Sequence, residues 1–505
     1  MLNWKSLLLN IVVPIVAFST AAGAGAATYY IDYAGGADGN DGRSPDTAWK
    51  AHPYMACWSG GEYTHAAGDR FIFKGGVTWP NRCFQMSISA GGQAGKVDYY
   101  GVDKSWFRGS SWERPIFNGE HKSLANGGNI VNLGSQKYVR MDNLDIRGHR
   151  TFVGGDQTAS IRYSCPKNVT MSNLWVHDWS VAPSVTKDNG QGGIYGHIAG
   201  CSPATVWVEH SKLSNAEWTG SGRQSGAALR GGNCRFCEIH DANTGILHGT
   251  MHDSHMYNIS NEGNGSFDSS FHTNSLYIDN WAGVGVNPGS TPALIYNNYI
   301  HHVGSGSGAI YPNPRFGADS TIYIYNNLVH DVSWLGAVNI DTYCYGCSHD
   351  SVGKVYIWNN TFQVGANGNG FKGVRVTPTG NSRPPLNKLV MQNNHSINDN
   401  GFWGGGNVKQ RIIEQNLSQT NAQASASGYK TANQFRPQSS SSPTVDGGAE
   451  ISCPSCSSIN ADRLRSARGQ GQSWDLGAYE FGGAPVAEIP KPTNLTVKSL
   501  KLDSP

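Results

Sequence analysis

Apolar and polar residues alternate in short runs along most of this chain, as in TIYIY (321–325), KVYIW (354–358) and KLVMQ (388–392). That is the two-residue period of a strand, not the 3.6-residue period of a helix. Each run ends at a doubled asparagine, and the second asparagines, Asn298, Asn327, Asn360 and Asn394, follow one another at steps of 29, 33 and 34 residues. Earlier cousins, VRMDNLDI (139–146) and VTMSNLWV (169–176), carry single asparagines at Asn143 and Asn173. A second strand precedes most copies and usually begins at glycine: GGIYGHI, GAALRG, GILHG, GVGVN, GAIYPN, GAVNID and GFKGVRV. A chain that repeats strand, turn and strand with no helical segment to return it is best accommodated by winding into a parallel β-helix, a solenoid in which each rung hydrogen-bonds to the next. Asparagine suits the corners because it tolerates the left-handed conformation, and stacked copies form an amide ladder. The four asparagines are therefore read as scaffold, as are His330 and Asp331 in YIYNNLVHDV. A β-propeller needs about four strands per 40–50 residues and lacks such a corner.

Composition narrows the setting. The 505 residues include 64 glycines, well above the roughly 7% of ordinary globular chains, so turns are dense. Residues 1–26 carry a lysine, an apolar stretch and small residues at Ala24 and Ala26, the pattern of an export signal cleaved near Ala26. No later stretch is apolar enough to span a bilayer, so a secreted or periplasmic protein without a membrane partner is expected. Ten cysteines, six of them in the Cys-x-x-Cys pairs Cys234/Cys237, Cys344/Cys347 and Cys453/Cys456, then read as disulfides rather than zinc or redox sites. The formal charge of +2 implies no nucleic-acid partner, and leaves an acidic polysaccharide dependent on a local patch. A monomer is expected.

The stretches YYIDYAGGADGNDGRSPDTAW (29–49), GDRFIFKGG (68–76), RPIFNG (114–119) and DLGAYEF (475–481) resemble those of secreted bacterial right-handed parallel β-helix proteins. That superfamily includes pectate lyases, chondroitinase-B-like and alginate lyases, and related glycosidases. The resemblance spans roughly residues 28–481. It implies an all-β, single-stranded right-handed parallel β-helix over 27–481, with a polar, proline-containing tail or linker over 482–505. It is specific for the fold and names no single reaction, since similar scaffolds carry several chemistries.

A site was sought from strand parity. Counting from each initiating residue, the second and fourth places, such as Ile310 and Pro312, Val338 and Ile340, and Leu247 and Gly249, should face inward. The third and fifth should face outward: His248, His272, Asn274, Tyr311, Asn313, Asn339, Asp341 and Arg375. Such a stripe suits an extended sugar chain. For a lyase acting by β-elimination on a uronate-containing glycan, a carboxylate must be neutralised, a C5 proton removed and the leaving oxygen protonated. His272 is the candidate base and Tyr311 the acid or second proton carrier. Arg315 or Arg375 is the carboxylate grip, and His248, Asn274, Asn313 and Asn339 are binding residues. Asp341 with Asp268 is the carboxylate pair that a glycoside hydrolase would need. A non-catalytic carbohydrate-binding or adhesin β-helix is the third alternative. His248, His252 and His255 mimic metal spacing, but not all share strand parity, so no metal is assigned. The Gly-rich 261–274 loop with Glu262 and Asp268 leaves calcium open as a cofactor, although a plain loop is the default, as it is for Asp38 and Asp41.

Overall fold

The computed structural model describes residues 25–124, 128–152, 158–182, 192–197, 206–215, 226–259, 274–279, 292–304, 308–315, 319–332, 335–344, 350–365, 372–377, 380, 382–399 and 401–483. The chain is a right-handed parallel β-helix. Three long parallel sheets of thirteen, twelve and eleven described strands run along it, termed here sheets 1, 2 and 3. One rung shows the course: Thr321–Tyr325 in sheet 1, Leu328–Val332 in sheet 2, Val338–Ile340 in sheet 3, then Val352–Trp358 back in sheet 1 beside its predecessor. Among the described residues no helix is long and apolar enough to cross a membrane.

Alternation decides what each strand buries. In sheet 1, Ile295, Ile324, Ile357 and Met391 align in register and are fully buried. Ile246, Leu276, Ile310, Val338 and Val374 do the same from sheet 3. Burying each such side chain is worth about 1.5–3 kcal/mol. A slip of one residue would turn the whole set to solvent, so register is strongly held.

The doubled asparagines divide their labour. The left-handed residue is the first of each pair, Asn297, Asn326, Asn359 and Asn393, with φ between 53° and 58°, so the second asparagine does not turn the corner. It forms the ladder. Asn298 Nδ2 donates to Asn327 Oδ1 at 2.9 Å, Asn327 to Asn360 at 3.0 Å, Asn360 to Asn394 at 3.0 Å and Asn394 to Asn416 at 2.9 Å. Asn416 in EQNLSQ extends the ladder by a rung that the doubled-asparagine pattern does not mark. At the other end Ser254 continues it, its amide donating to Asn298 Oδ1 at 3.1 Å.

The last described strand of the solenoid ends at Gln419. Residues 420–483 turn back as a strap over sheets 1 and 2. Tyr325 Oη donates to the Ser457 carbonyl at 2.6 Å, Arg463 Nε to the Asn298 carbonyl at 3.3 Å, and Arg468 Nη2 to Asn326 Oδ1 at 2.9 Å. Ile451, Cys453, Cys456 and Trp474 pack on Tyr296, Tyr325 and Trp358. DLGAYEF belongs to this strap, where the Ala478 amide reaches Thr361 Oγ1 at 2.9 Å. Disulfides join Cys57 to Cys83, Cys234 to Cys237 and Cys453 to Cys456. Cys165 and Cys344 are also oxidised, and no described cysteine is free. Residues 1–24 of the export segment and 484–505 of the tail lie outside the described residues.

Candidate active site

The strap packs on the C-terminal rungs of sheets 1 and 2, from Tyr296 and Tyr299 onward, and its described hydrogen bonds reach no strand of sheet 3, which makes sheet 3 the candidate ligand face. Its connections are also the long ones. Sheet 1 passes to sheet 2 through the asparagine pair alone, whereas the chain runs from Ile259 to Leu276 to enter sheet 3 and from Asp279 to Ala293 to leave it.

The outward row of sheet 3 follows from register. Arg162 aligns with Tyr195, then Arg230, Leu247, Tyr277 and Tyr311. The pairing of Ile310 with Val338 carries the row on to Asn339, which aligns with Arg375. Neighbours stand about 4.8 Å apart. The rings of Tyr277 and Tyr311 lie 5.0 Å apart, and the Arg230 guanidinium sits 4.9 Å over the Tyr195 ring. Arg162, Arg230 and Arg375 make no ion pair among the described residues, and Nε of Arg162 and of Arg230 is buried without a hydrogen-bond acceptor.

Beside Tyr311 lies a polar node. Tyr311 Oη donates to Asp341 Oδ2 at 2.8 Å. Asp341 Oδ1 accepts from the Tyr343 amide at 3.1 Å, Thr377 Oγ1 at 3.2 Å and Arg383 Nε at 3.3 Å. The carboxylate is 5% exposed, and the Arg383 guanidinium also covers the Tyr343 ring at 5.3 Å. Asp341 follows a strand whose next residue back, Ile340, pairs beside Pro312, since the Asp341 amide bonds the Pro312 carbonyl. The backbones of Asp279, Asn313 and Asp341 therefore occupy successive rungs.

Several residues picked from parity stand elsewhere. In GILHG the frame is shifted by one: Ile246 faces the core, Leu247 faces out, and His248 is buried with φ of 57°. Burial, helped by the positive charges of Arg230 and Arg315, holds the His248 imidazole down to about 3, so it is neutral. Asn274 is buried before its strand begins, its carbonyl accepting from the Gly245 amide. Asn313 is buried and donates to the Tyr343 carbonyl at 3.2 Å. Asn339 holds its place in the row but is 1% exposed. None of the four presents open surface to a sugar. Tyr311, Arg315 and Arg375 are partly exposed. His272, Asp268 and the calcium loop lie outside the described residues. Tyr277, Arg162, Tyr195 and Arg230 were missed, although SLYID, SIRYS, GGIYGH and AALR each show the signal: a polar or aromatic residue directly after an inward aliphatic one.

The histidine triplet is scattered: His248 follows a sheet 3 strand, His252 stands in sheet 1 and His255 in sheet 2. No described cluster has the makings of a metal site. Asp38 and Asp41 are turn formers. Asp38 accepts from the Lys50, Ala51 and Ser59 amides, and Asp41 from the Arg43 amide and Thr47.

No protein-family model and no curated protein sequence matches this chain. Among solved structures, a lacto-N-biosidase from Eubacterium ramulus matches over 78% of this chain and 68% of its own, at 14% identity and a TM-score of 0.48. A pectate lyase matches over 90% of this chain and 97% of its own, at 13% identity and 0.45. A rhamnogalacturonan lyase matches over 77% and 87%, at 13% identity and 0.42. At these identities the likeness extends to the fold and no further.

Proposed function

We propose that this protein is an exported lyase that cleaves an acidic, uronate-containing glycan by β-elimination in the groove of sheet 3. The observation that carries this is the outward row itself, which sets Arg162, Arg230 and Arg375, none in an ion pair among the described residues, in one register with the partly exposed Tyr277 and Tyr311. Guanidinium groups suit carboxylates through bidentate bonds, tyrosines supply flat, polar-tipped surface, and β-elimination needs a cation at the uronate carboxylate. Arg375, two rungs from Tyr311, and Arg315, which follows the Tyr311 strand, are the candidate cations for that carboxylate.

The hydrogen bond from Tyr311 to Asp341 alters the role of the phenol. With its own proton directed at Asp341, the phenolic oxygen offers lone pairs, so Tyr311 accepts the C5 proton while its proton passes to Asp341. The C5 electron pair forms the C4–C5 double bond, the C4–O bond breaks, the same phenol gives a proton to the leaving oxygen, and Asp341 returns to the phenol the proton it took. Arg383, Thr377 and the Tyr343 amide hold Asp341 in place. His272, in the segment that enters the Tyr277 strand, is the competing base.

Hydrolysis is the second reading, favoured by the register that sets Asp279 and Asp341 two rungs, about 10 Å, apart. A hydrolase needs two carboxylates flanking the scissile bond.

Incubation with pectate, alginate, chondroitin and neutral glycans, with unsaturated-product absorbance and reducing ends followed separately, tests the reaction. Absorbance together with reducing ends is expected on an acidic glycan. Reducing ends alone would mean hydrolysis, and binding without either signal would mean a carbohydrate-binding module.

A further inference from the structure

We propose that Arg162 and Arg230, which flank the buried ring of Tyr195, form a remote subsite for a second anionic group, carboxylate or sulfate, on an extended glycan. The groove then engages long acidic chains internally rather than at their ends. The inference builds on the acidic-glycan assignment of the Tyr311 end, but it concerns binding at residues that take no part in the chemistry.

Three observations converge. Arg162 and Arg230 stand on either side of Tyr195 in one register row, about 10 Å apart, with the Arg230 guanidinium over the Tyr195 ring at 4.9 Å. Both guanidiniums have a buried Nε without an acceptor, although both residues keep part of their surface in solvent. A buried charged donor left unmatched is costly, so an arrangement serving stability alone would have paired it. Lastly, neither guanidinium has an ion-pair partner among the described residues. The groups acting on the neighbouring His248 are Arg230 and Arg315, both positive, and the Asp341 carboxylate is already committed to four donors. The countercharge that both guanidiniums lack would be supplied by an anion on the ligand.

Spacing sets its reach. Arg230 lies three rungs from Tyr311 and Arg162 five, about 14 and 24 Å along the row. A sugar residue is about one rung long. A trisaccharide centred on Tyr311 thus falls short of Arg162, while a polymer covers the whole row.

Affinity electrophoresis in gels containing polygalacturonate, alginate or chondroitin sulfate tests the proposal, with a neutral glucan gel as control. The first two gels carry carboxylate alone and the third adds sulfate, so the pattern identifies the anion. The full chain should be retarded in at least one anionic gel and not in glucan. The Arg162→Met/Arg230→Met variant should bind the retarding polymer at least about tenfold more weakly, with partial recovery in Arg162→Lys/Arg230→Lys. The loss should exceed that for the trimer of the same uronate, measured by calorimetry, by at least about tenfold. Melting curves and the single variants show whether the substitutions leave the fold intact. Equal losses on trimer and polymer, unaltered polymer binding, equal retardation by glucan, or no retardation by any anionic polymer would each overturn the subsite. Arginine-dependent polymer binding without cleavage would overturn the lyase assignment and leave the subsite standing.

Discussion

Tyr311 donates its phenolic hydrogen to Oδ2 of Asp341 at 2.8 Å, from the strand one rung away. The pair joins the partly exposed row of sheet 3 to a carboxylate that is itself 5% exposed. Tyr311→Phe deletes the proton carrier and keeps the ring, so turnover should fall at least about 100-fold while the melting temperature barely moves. Asp341→Asn should lower kcat by a similar order and leave KM nearly unchanged. His272→Ala separates the candidate bases. If it matches Tyr311→Phe in rate loss, the base is His272 and Tyr311 is the donor. Near-normal turnover in both Tyr311→Phe and His272→Ala would move the chemistry off this stretch of the groove.

Asn327 illustrates a residue that stability needs and chemistry does not. Its amide donates to Asn360 Oδ1 and to the Ile295 and Tyr325 carbonyls, and its oxygen accepts from Asn298. Asn327→Ala leaves several buried groups unmatched and should cost about 3 kcal/mol, read as a lowered urea midpoint. The surviving folded protein should keep its kcat; loss of turnover in a fully stable variant would contradict the scaffold role.

Oxidised cysteines predict that unreduced, denatured protein shows almost no thiol titratable by Ellman's reagent. Cys57 and Cys83 are 26 residues apart in sequence, and opening that loop by a paired serine substitution should cost about 3 kcal/mol. A melting temperature indifferent to both the substitution and reductant would show that the cross-links contribute nothing.

Acid should destabilise the fold through its buried imidazoles. Burial lowers His52 and His248 to about 3, and His149 and His395 to about 4. A lowered histidine favours the neutral form in the folded state. Its contribution is therefore intact above the unfolded value near 6.5 and is lost as pH falls from there toward 4 and 3, by about 1.4 kcal/mol per pH unit for each group. His177 runs the other way: although burial opposes its charge, hydrogen bonds and the charges of Asp145 and Asp178 raise it to about 9. Its stabilisation is full below 6.5 and is lost as pH rises through 9. Urea midpoints against pH should peak near neutrality, and His395→Gln should flatten the acid limb. An unchanged limb would mean that His395 is not the group titrating.

Parts of the site were open to inference from residues alone and parts were not. Tyr311 and Arg375 follow an inward aliphatic residue, so parity found them. The same rule would have found Tyr277 in SLYID and Arg230 in AALR, and in GILHG a single misplaced step exchanged Leu247 with His248. Asn274 and Asn313 have the right residue type but are covered, and coverage depends on which neighbouring segments lie over them. Of the doubled asparagines, the pattern marked both without showing which turns the corner. The answer needs the next rung, because an amide ladder exists only between residues about thirty positions apart.

Period, strand character and inward aliphatic rows are local properties. They follow from alternation within a few residues, so the order of residues was enough to establish a solenoid of stacked strands. Which face of that solenoid receives a ligand is not local. The candidate face follows from a strap that brings Arg463 to Asn298 across 165 residues and Tyr325 to Ser457 across 132, covering the C-terminal rungs of sheets 1 and 2 while its described contacts leave sheet 3 aside. The row of Arg162, Tyr195, Arg230, Tyr277 and Tyr311 likewise exists only once each strand is hydrogen-bonded to the next, because rung length varies with every intervening loop. Side-chain parity is written into each strand, whereas the alignment of one strand upon another is fixed by register and docking, which arise only when the whole chain has folded.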